Sequence, residues 1–421
     1  MTRFLFDVAW RSAWNRRFTL ALTVCSIALS TFMLLGMERV RTDVRASFTS
    51  AVSGTDLLVG ARSSPVQLLL YAVFHIGAAT NNMRWSSIEA LRERPEVKWV
   101  LPLSLGDSHR GFPVLGTTRE YFELFHYGEQ QPLRIAQGRA FDGLLEAVLG
   151  AEVAESLGYG VGRKIVLAHG TGELVTAEHG DKPFTVVGIL GRTGTPVDRT
   201  VHISLQAMEA LHVDWIGGAP LPGLHVPAEA LTGRQLQPKA VTAALVGLHN
   251  RAAVFSVQRQ VNEFRAEPLM AVLPGVALDE LWTVIGTGER ALLLMSALVA
   301  AVSLAGLVSV VLASLNERRR ELAVLRATGA GPRHIVLLLA LEGFGVTVAG
   351  MLLGIVALAV AVAASAAWLQ SSYGLVLQLA SPTDTQWLLL VALLAAGWLA
   401  SLIPGWRAYR LSLADGLSPR V

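Results

Sequence analysis

Four strongly apolar runs, Phe18 to Met37, Ala291 to Leu315, Ile335 to Leu369 and Trp387 to Trp406, constrain this chain more than any other feature. A bilayer core takes roughly 20 apolar residues per helix. Three runs have about that length, and the third is long enough to span and emerge. The apolar excess behind them, 52% hydrophobic against 16% charged residues and a mean hydropathy of +0.47, is foreign to a purely soluble protein. Four spanning helices are expected.

The first run follows Arg3, Arg11, Arg16 and Arg17, as the core of a secretory signal would. It exceeds the roughly 7 to 15 residues of such a core, and no small-x-small cleavage site precedes Glu38, so it reads as an uncleaved anchor. Arginines flanking the spans set the orientation. They lie before the first run, between the second and third (Arg318, Arg319, Arg320, Arg326, Arg333) and after the fourth (Arg407, Arg410, Arg420), while 370–386 has neither Lys nor Arg. The expected layout therefore has 1–17, 316–334 and 407–421 cytoplasmic, spans at 18–37, 291–315, 335–369 and 387–406, and 38–290 and 370–386 outside. This bias accounts for the net charge of +3, which implies no nucleic acid. The one cysteine, Cys25, sits in the first span, so no intramolecular disulfide or cysteine metal site can form.

Residues 38–290 alternate short apolar runs with helical patterns, the mark of mixed α and β structure. Helices are expected at Ser87 to Arg94, Thr118 to Phe125, Ala151 to Leu157, Leu205 to Leu211 and Ala253 to Phe264. Strands are expected at Trp99 to Leu103, Phe112 to Leu115, Ala147 to Leu149, Lys164 to Leu167, Phe184 to Leu190, Val201 to Ile203 and Ala243 to Leu248. Turn-rich sequence near Gly138 and a Pro/Gly-rich stretch from Gly217 delimit an inserted β-rich subdomain at 138–216. Glu38 to Phe48 and Leu278 to Arg290 continue helically into the first two spans, with only Gly286 and Gly288 interrupting the latter. They would form a stalk. The apolar segment Pro65 to Gly77 is too short to span and reads as a buried helix, with a dimer groove, a lipid contact or an acyl-chain site as alternatives.

Between the second and third spans lies NERRRELAVLRATGAGPRH, Asn316 to His334. Its charges flank an apolar side formed by Leu322, Val324 and Leu325, which predicts a short amphipathic helix stopped by Gly329 and Gly331-Pro332. Composition alone leaves an ordinary positive-inside loop equally open. The residue order ERRRELAVLRATGA ahead of an apolar span resembles the permease family of the cell-division protein FtsX, the macrolide exporter MacB and the lipoprotein-releasing LolC and LolE. Glu317, Arg318, Arg319, Arg320, Glu321, Arg326 and Gly329 match its characteristic positions. The glutamate and spaced glycines of LALEGFGVTVAGMLLG (Leu339 to Gly354) resemble the family's third span. GRAF (Gly138 to Phe141), VLGAEVAESLG (Val148 to Gly158), VGRKI, FTVVGIL and TGTPVDRTVHISL resemble the MacB-type periplasmic core. The resemblance covers most of the chain and implies a membrane α-helical protein with four transmembrane helices and a large α+β periplasmic domain of two subdomains, in a bacterial inner membrane.

It further implies a non-enzymatic subunit that transmits motion of ABC ATPases to the periplasm, with Glu317 to Gly329 as the ATPase-coupling segment. No G-x-x-x-x-G-K-[ST] occurs, so ATP and Mg are expected on a partner ATPase dimer and no cofactor on this chain. The implied partners are that dimer, a second copy of this chain and membrane lipids, with a periplasmic adaptor or lipoprotein left open. Glu342 is the one carboxylate within a span and hence a functional candidate, either a structural partner for the cytoplasmic arginines or part of coupling. With no second acidic residue in any span, a polar path through the bilayer is not expected. His75, His109, His126, His169, His179, His202, His212 and His225 show no zinc-site spacing, so no metal site is expected. Two other readings are a membrane-anchored periplasmic receptor or scaffold without ATPase coupling, and a metal-related transport subunit. The cargo is not encoded in any motif.

Overall fold

The strand Leu57–Ala61 (β1), LLVGA, has every side chain buried, which requires cover on both faces of the sheet it joins. In this computed structural model, which describes residues 17–77, 79–170, 177–213, 215–216, 219–220, 236–317, 324, 326–327, 329–373 and 381–410, β1 lies inside a 12-stranded sheet. The chain divides into two units: Met1–Asp43 with Gly286–Ala367 and Leu377–Val421, and Val44–Ile285 with Trp368–Val376.

In the second unit the remaining sheet strands are Val97–His109 (β2), Phe112–Thr117 (β3), Ile135–Gly138 (β4), Glu146–Leu149 (β5), Lys164–Ile165 (β6), Ala168–His169 (β7), Ala177–Glu178 (β8), Phe184–Leu190 (β9), Val201–Ser204 (β10), Ala243–Leu248 (β11) and Leu269–Val272 (β12). The order is β12-β1-β11-β2-β3-β10-β5-β9-β4, with β7 pairing β2 and β8, and β6 pairing β9. Alternation assigns the faces. Leu58 of β1 and Ala243 and Leu245 of β11 pack into one core, and Leu57, Val59, Ala244 and Val246 into another.

The first core is closed by the helix Pro65–Phe74 (α2), whose Leu68 and Leu69 are fully buried, so the apolar segment flagged in the sequence is a core helix. The helices Trp85–Arg92 (α3) and Val254–Asn262 (α7) supply Ile88, Leu91, Val257 and Val261 to the second core. A third core joins β3, β5, β9 and β10 to the helices Ala151–Leu157 (α5) and Leu205–His212 (α6); the one-turn helix Tyr121–Leu124 (α4) packs against the first.

The sheet does not divide at Gly138. Its switch lies within β2, whose residues 97–103 pair with β11 and whose residues 104–109 pair with β3. Strand β3 then pairs parallel with β10, so residues 104–117 already belong to the β-rich half. The turn at 138 is real but lies inside that half. The ladder register shifts between Leu105 and Asp107, around Gly106, and one long strand thereby serves both halves.

The other unit holds the apolar parts of four long helices, Arg17–Val52 (α1), Pro274–Glu317 (α8), Pro332–Tyr373 (α9) and Asp384–Arg410 (α10). All four are long and apolar enough to cross a membrane. Gly286 and Gly288 do not interrupt α8. Leu22, Leu294, Val302, Leu352, Val360 and Leu388 are among the side chains left exposed, as lipid-facing residues are, whereas Ile27, Leu307, Val311, Leu339 and Val346 interdigitate.

Candidate functional site

Helices α1 and α8 each run on past their apolar segments, and their flanks carry matched polar groups. In the membrane unit Arg41 meets Glu289 at 3.2 Å and Glu38 at 3.1 Å, and Arg39 meets Asp43 at 3.1 Å. In the α/β unit the Arg45 guanidinium lies 5.1 Å from the Trp282 ring centroid, and Phe48 stacks on Phe74 at 4.1 Å. Ala51, Val52, Ala277, Leu278 and Leu281, from the outer parts of α1 and α8, are buried in the first core. The two helices are thus joined by an ion pair in one unit and anchored in a packed core in the other.

Polar groups of the spans hold helices together. Ser30 and Ser303 are bonded at 2.8 Å between α1 and α8, and the Ser303 hydroxyl also donates to the Ser26 carbonyl at 3.1 Å. Three glycines of α9 are contact points: a Cβ on Gly350 would stand 2.7 Å from the Ile27 side chain, one on Gly354 2.6 Å from the Ala28 carbonyl oxygen, and one on Gly343 would collide with Ser401 of α10. Small residues permit such close backbone approach. Glu342, next to Gly343, is half-buried.

The described part of α8 runs to Glu317. Arg318, Arg319, Arg320 and Glu321 lie outside the described residues. Arg326 is half-buried, and the Gly329 amide donates to its carbonyl at 3.1 Å from a left-handed φ of 99°. Pro332 opens α9 with the φ a first helical residue needs.

Four side chains that no ligand spacing in the sequence connects converge in the β-rich half: Asp107 of β2, His169 of β7, His179 just after β8 and His212 at the end of α6. Asp107 Oδ1 lies 3.0 Å from His169 Nδ1 and 3.4 Å from His212 Nε2, and those two nitrogens are 3.1 Å apart. Burial acts to raise the Asp107 carboxyl, but hydrogen bonds from His169 and His212 outweigh it and hold the group at about 2. Burial pulls His179 down; for His212 burial also acts downward, but the bond to Asp107, its charge and the Met208 carbonyl together push the group up.

Two family profiles match, the MacB-like periplasmic core domain over residues 20–263 and the FtsX-like permease C-terminal domain over residues 293–413. The chain belongs to the MacB/FtsX-like permease family. It is 24% identical, over 98% of its length, to the pyoverdine export ATP-binding/permease protein PvdT of Pseudomonas syringae pv. tomato, covering 59% of that protein. A second PvdT, from Pseudomonas savastanoi pv. phaseolicola, is 24% identical over 83% of the chain and half of its own length. The chain thus spans about half to three-fifths of these curated relatives. Among solved structures, the periplasmic region of MacB from Actinobacillus actinomycetemcomitans aligns with 56% of this chain and 97% of its own (TM-score 0.34, 11% identity). The extracellular domain of the Gram-positive transporter YknZ aligns with 52% of this chain and 99% of its own (TM-score 0.31, 13% identity).

In this MacB/FtsX-like permease two of the core-domain motifs form turns. Gly138 of GRAF has φ 75° and sits where a Cβ would strike the Val187 carbonyl, while Arg139 makes two bonds to Glu146 at 2.8 and 2.6 Å. Those bonds hold the Glu146 carboxyl down at about 2. In TGTPVD the Asp198 carboxylate accepts from the Thr193 amide, the Thr193 hydroxyl and the Gly194 amide at 2.7 to 2.9 Å.

Proposed function

We propose that this permease is a mechanical subunit of an ABC complex: motion driven by ATP at a cytoplasmic ATPase dimer reaches the periplasmic domain through α1 and α8. The observation that carries the reading is the continuity of these helices, each unbroken from its apolar segment to side chains buried in the first core. A continuous helix moves as a rod, because bending it requires disrupting its i to i−4 hydrogen bonds. The pairing of Arg41 with Glu289 makes the two rods move together.

In this reading both termini and the 316–334 segment face the cytoplasm. Arg318, Arg319, Arg320 and Glu321, with Glu317, Arg326 and Gly329, engage the ATPase. ATP and Mg are bound there, and two copies of this chain sit over the ATPase dimer. The spans hold no acidic side chain but Glu342, which supports work outside the bilayer in preference to a pore through it. The PvdT relatives are named for export, and outward handling of a substrate is the direction taken here.

The test is purification of the tagged chain from detergent-solubilised membranes. An ABC ATPase should co-purify with ATP turnover, and Arg319→Glu should abolish both while leaving the fold intact. A chain that purifies with no ATPase, or keeps it undiminished in Arg319→Glu, removes the reading.

A further inference from the structure

We infer that Asp107, His169, His179 and His212 form a binding site for one tetrahedrally coordinated divalent transition metal, Zn2+ before others, in the β-rich half of the core domain.

Geometry is the first argument. The ligand atoms of the four residues all lie within 4.8 Å of one another. Zinc bonds of about 2.0 to 2.1 Å in a tetrahedron set ligand atoms about 3.3 Å apart along each edge. The three separations among Asp107, His169 and His212 are 3.0, 3.1 and 3.4 Å, within a few tenths of an ångström of that edge, and His179 closes the set from within 4.8 Å of each.

Orientation is the second. His212 Nδ1 lies 2.9 Å from the Met208 carbonyl oxygen, which can only accept, so Nδ1 carries the proton. In the neutral ring this leaves the lone pair on Nε2, the nitrogen that faces Asp107 and His169. A backbone carbonyl holding the far nitrogen of a ligand histidine is the usual outer support of a metal site.

The third is an acceptor without a donor. Asp107 is 1% exposed, and its Oδ2 finds no hydrogen-bond partner among the described residues. An ionised carboxylate so placed is costly, and a cation bound at Oδ1 neutralises its charge. The set of three imidazoles and one carboxylate suits zinc: it lacks the thiolates that favour softer ions and the oxygen-rich shell of calcium or magnesium. Four protein ligands make a closed site, which cross-links β2, β7, the segment after β8 and α6. His169 and His212 remain partly exposed and offer the entry path, while Asp107 and His179 are buried behind them. A buried cation, Lys182, acts on His179 and lies 3.7 Å from Asp181.

This inference is independent of the transport reading. It is tested on the full chain in detergent, stripped with a chelator and titrated with Zn2+, with metal content read after dialysis. One zinc per chain and a raised apparent Tm are expected. Replacement by Co2+ should give the visible absorption of a tetrahedral centre. His179→Gln and His212→Gln should each weaken zinc by more than about 100-fold, and His126→Gln, outside the cluster, should not. Wild-type chain that retains no stoichiometric zinc overturns the proposal whatever the variants do. So does retention unchanged in His179→Gln and His212→Gln, or a cobalt spectrum of octahedral type.

Discussion

Arg41 and Glu289 face each other across 3.2 Å, one on the first long helix and one on the second, each a few residues beyond its helix's apolar run. Glu289 is 12% exposed and Arg41 30%, so the pair is shielded more than a surface contact. A double-mutant cycle through Arg41→Gln and Glu289→Gln should give a coupling of about 1 to 2 kcal/mol by thermal or denaturant unfolding in detergent. Additive effects would mean that the two helices are not joined here.

His202 gives the core domain an acid-sensitive centre. It is fully buried beside the rings of Tyr121 and Phe122, and burial drives its pKa down to about 3. The unfolded chain takes up this proton near pH 6.5, the folded chain only near 3, so between those values the unfolded state binds more protons and stability falls as pH falls. At pH 5 the loss from this residue is about 2 kcal/mol. Unfolding midpoints from pH 7 to 5 should therefore drop more steeply for the wild type than for His202→Gln; equal slopes would refute the assignment.

Gly350 should tolerate no side chain. Gly350→Leu forces a Cβ to 2.7 Å from that of Ile27, and overpacking of this kind costs about 1 to 3 kcal/mol. Gly345, on the same helix with open space around it, is the control. Gly350→Leu should lower the apparent Tm by several degrees, Gly345→Leu by almost nothing, and a similar response from both would show that α1 and α9 are not packed at this point.

Asp198→Ala should disorder the loop it organises. Three donors lose their acceptor, two from Thr193 and one from Gly194, at a cost of about 2 to 4 kcal/mol. Asp198→Asn, which can still accept, should fall between. Protease sensitivity of the 193–198 segment is the readout, and an Ala variant as resistant as wild type would contradict the role.

Much of the fold was legible because its elements have clean periods and clear punctuation. The spans were set by length alone, and Phe184–Leu190, Ala243–Leu248 and Ala151–Leu157 match the sequence expectation end to end. Strand β1 escaped because five residues set one short turn after a long helix carry no alternation when both faces are buried. The His/Asp cluster escaped for a different reason. His169 is 62 residues from Asp107 and 43 from His212, distances that no ligand-spacing rule covers. The antiparallel pairing of His169 with Ala177 draws His179 near, while the sheet brings up Asp107 and α6 delivers His212. Only the topology contains that site.

The position of β1 governs how this chain is made. Its two neighbours in the sheet are 243–246 and 269–272, so the strand leaves the ribosome about 200 residues ahead of both. At ~5–20 residues per second the interval is roughly 10 to 40 s. For that time LLVGA is an unpaired apolar strand beside a helix already entering the membrane, and it must be shielded from other nascent chains. Any truncation ending before Ala243 leaves it permanently so.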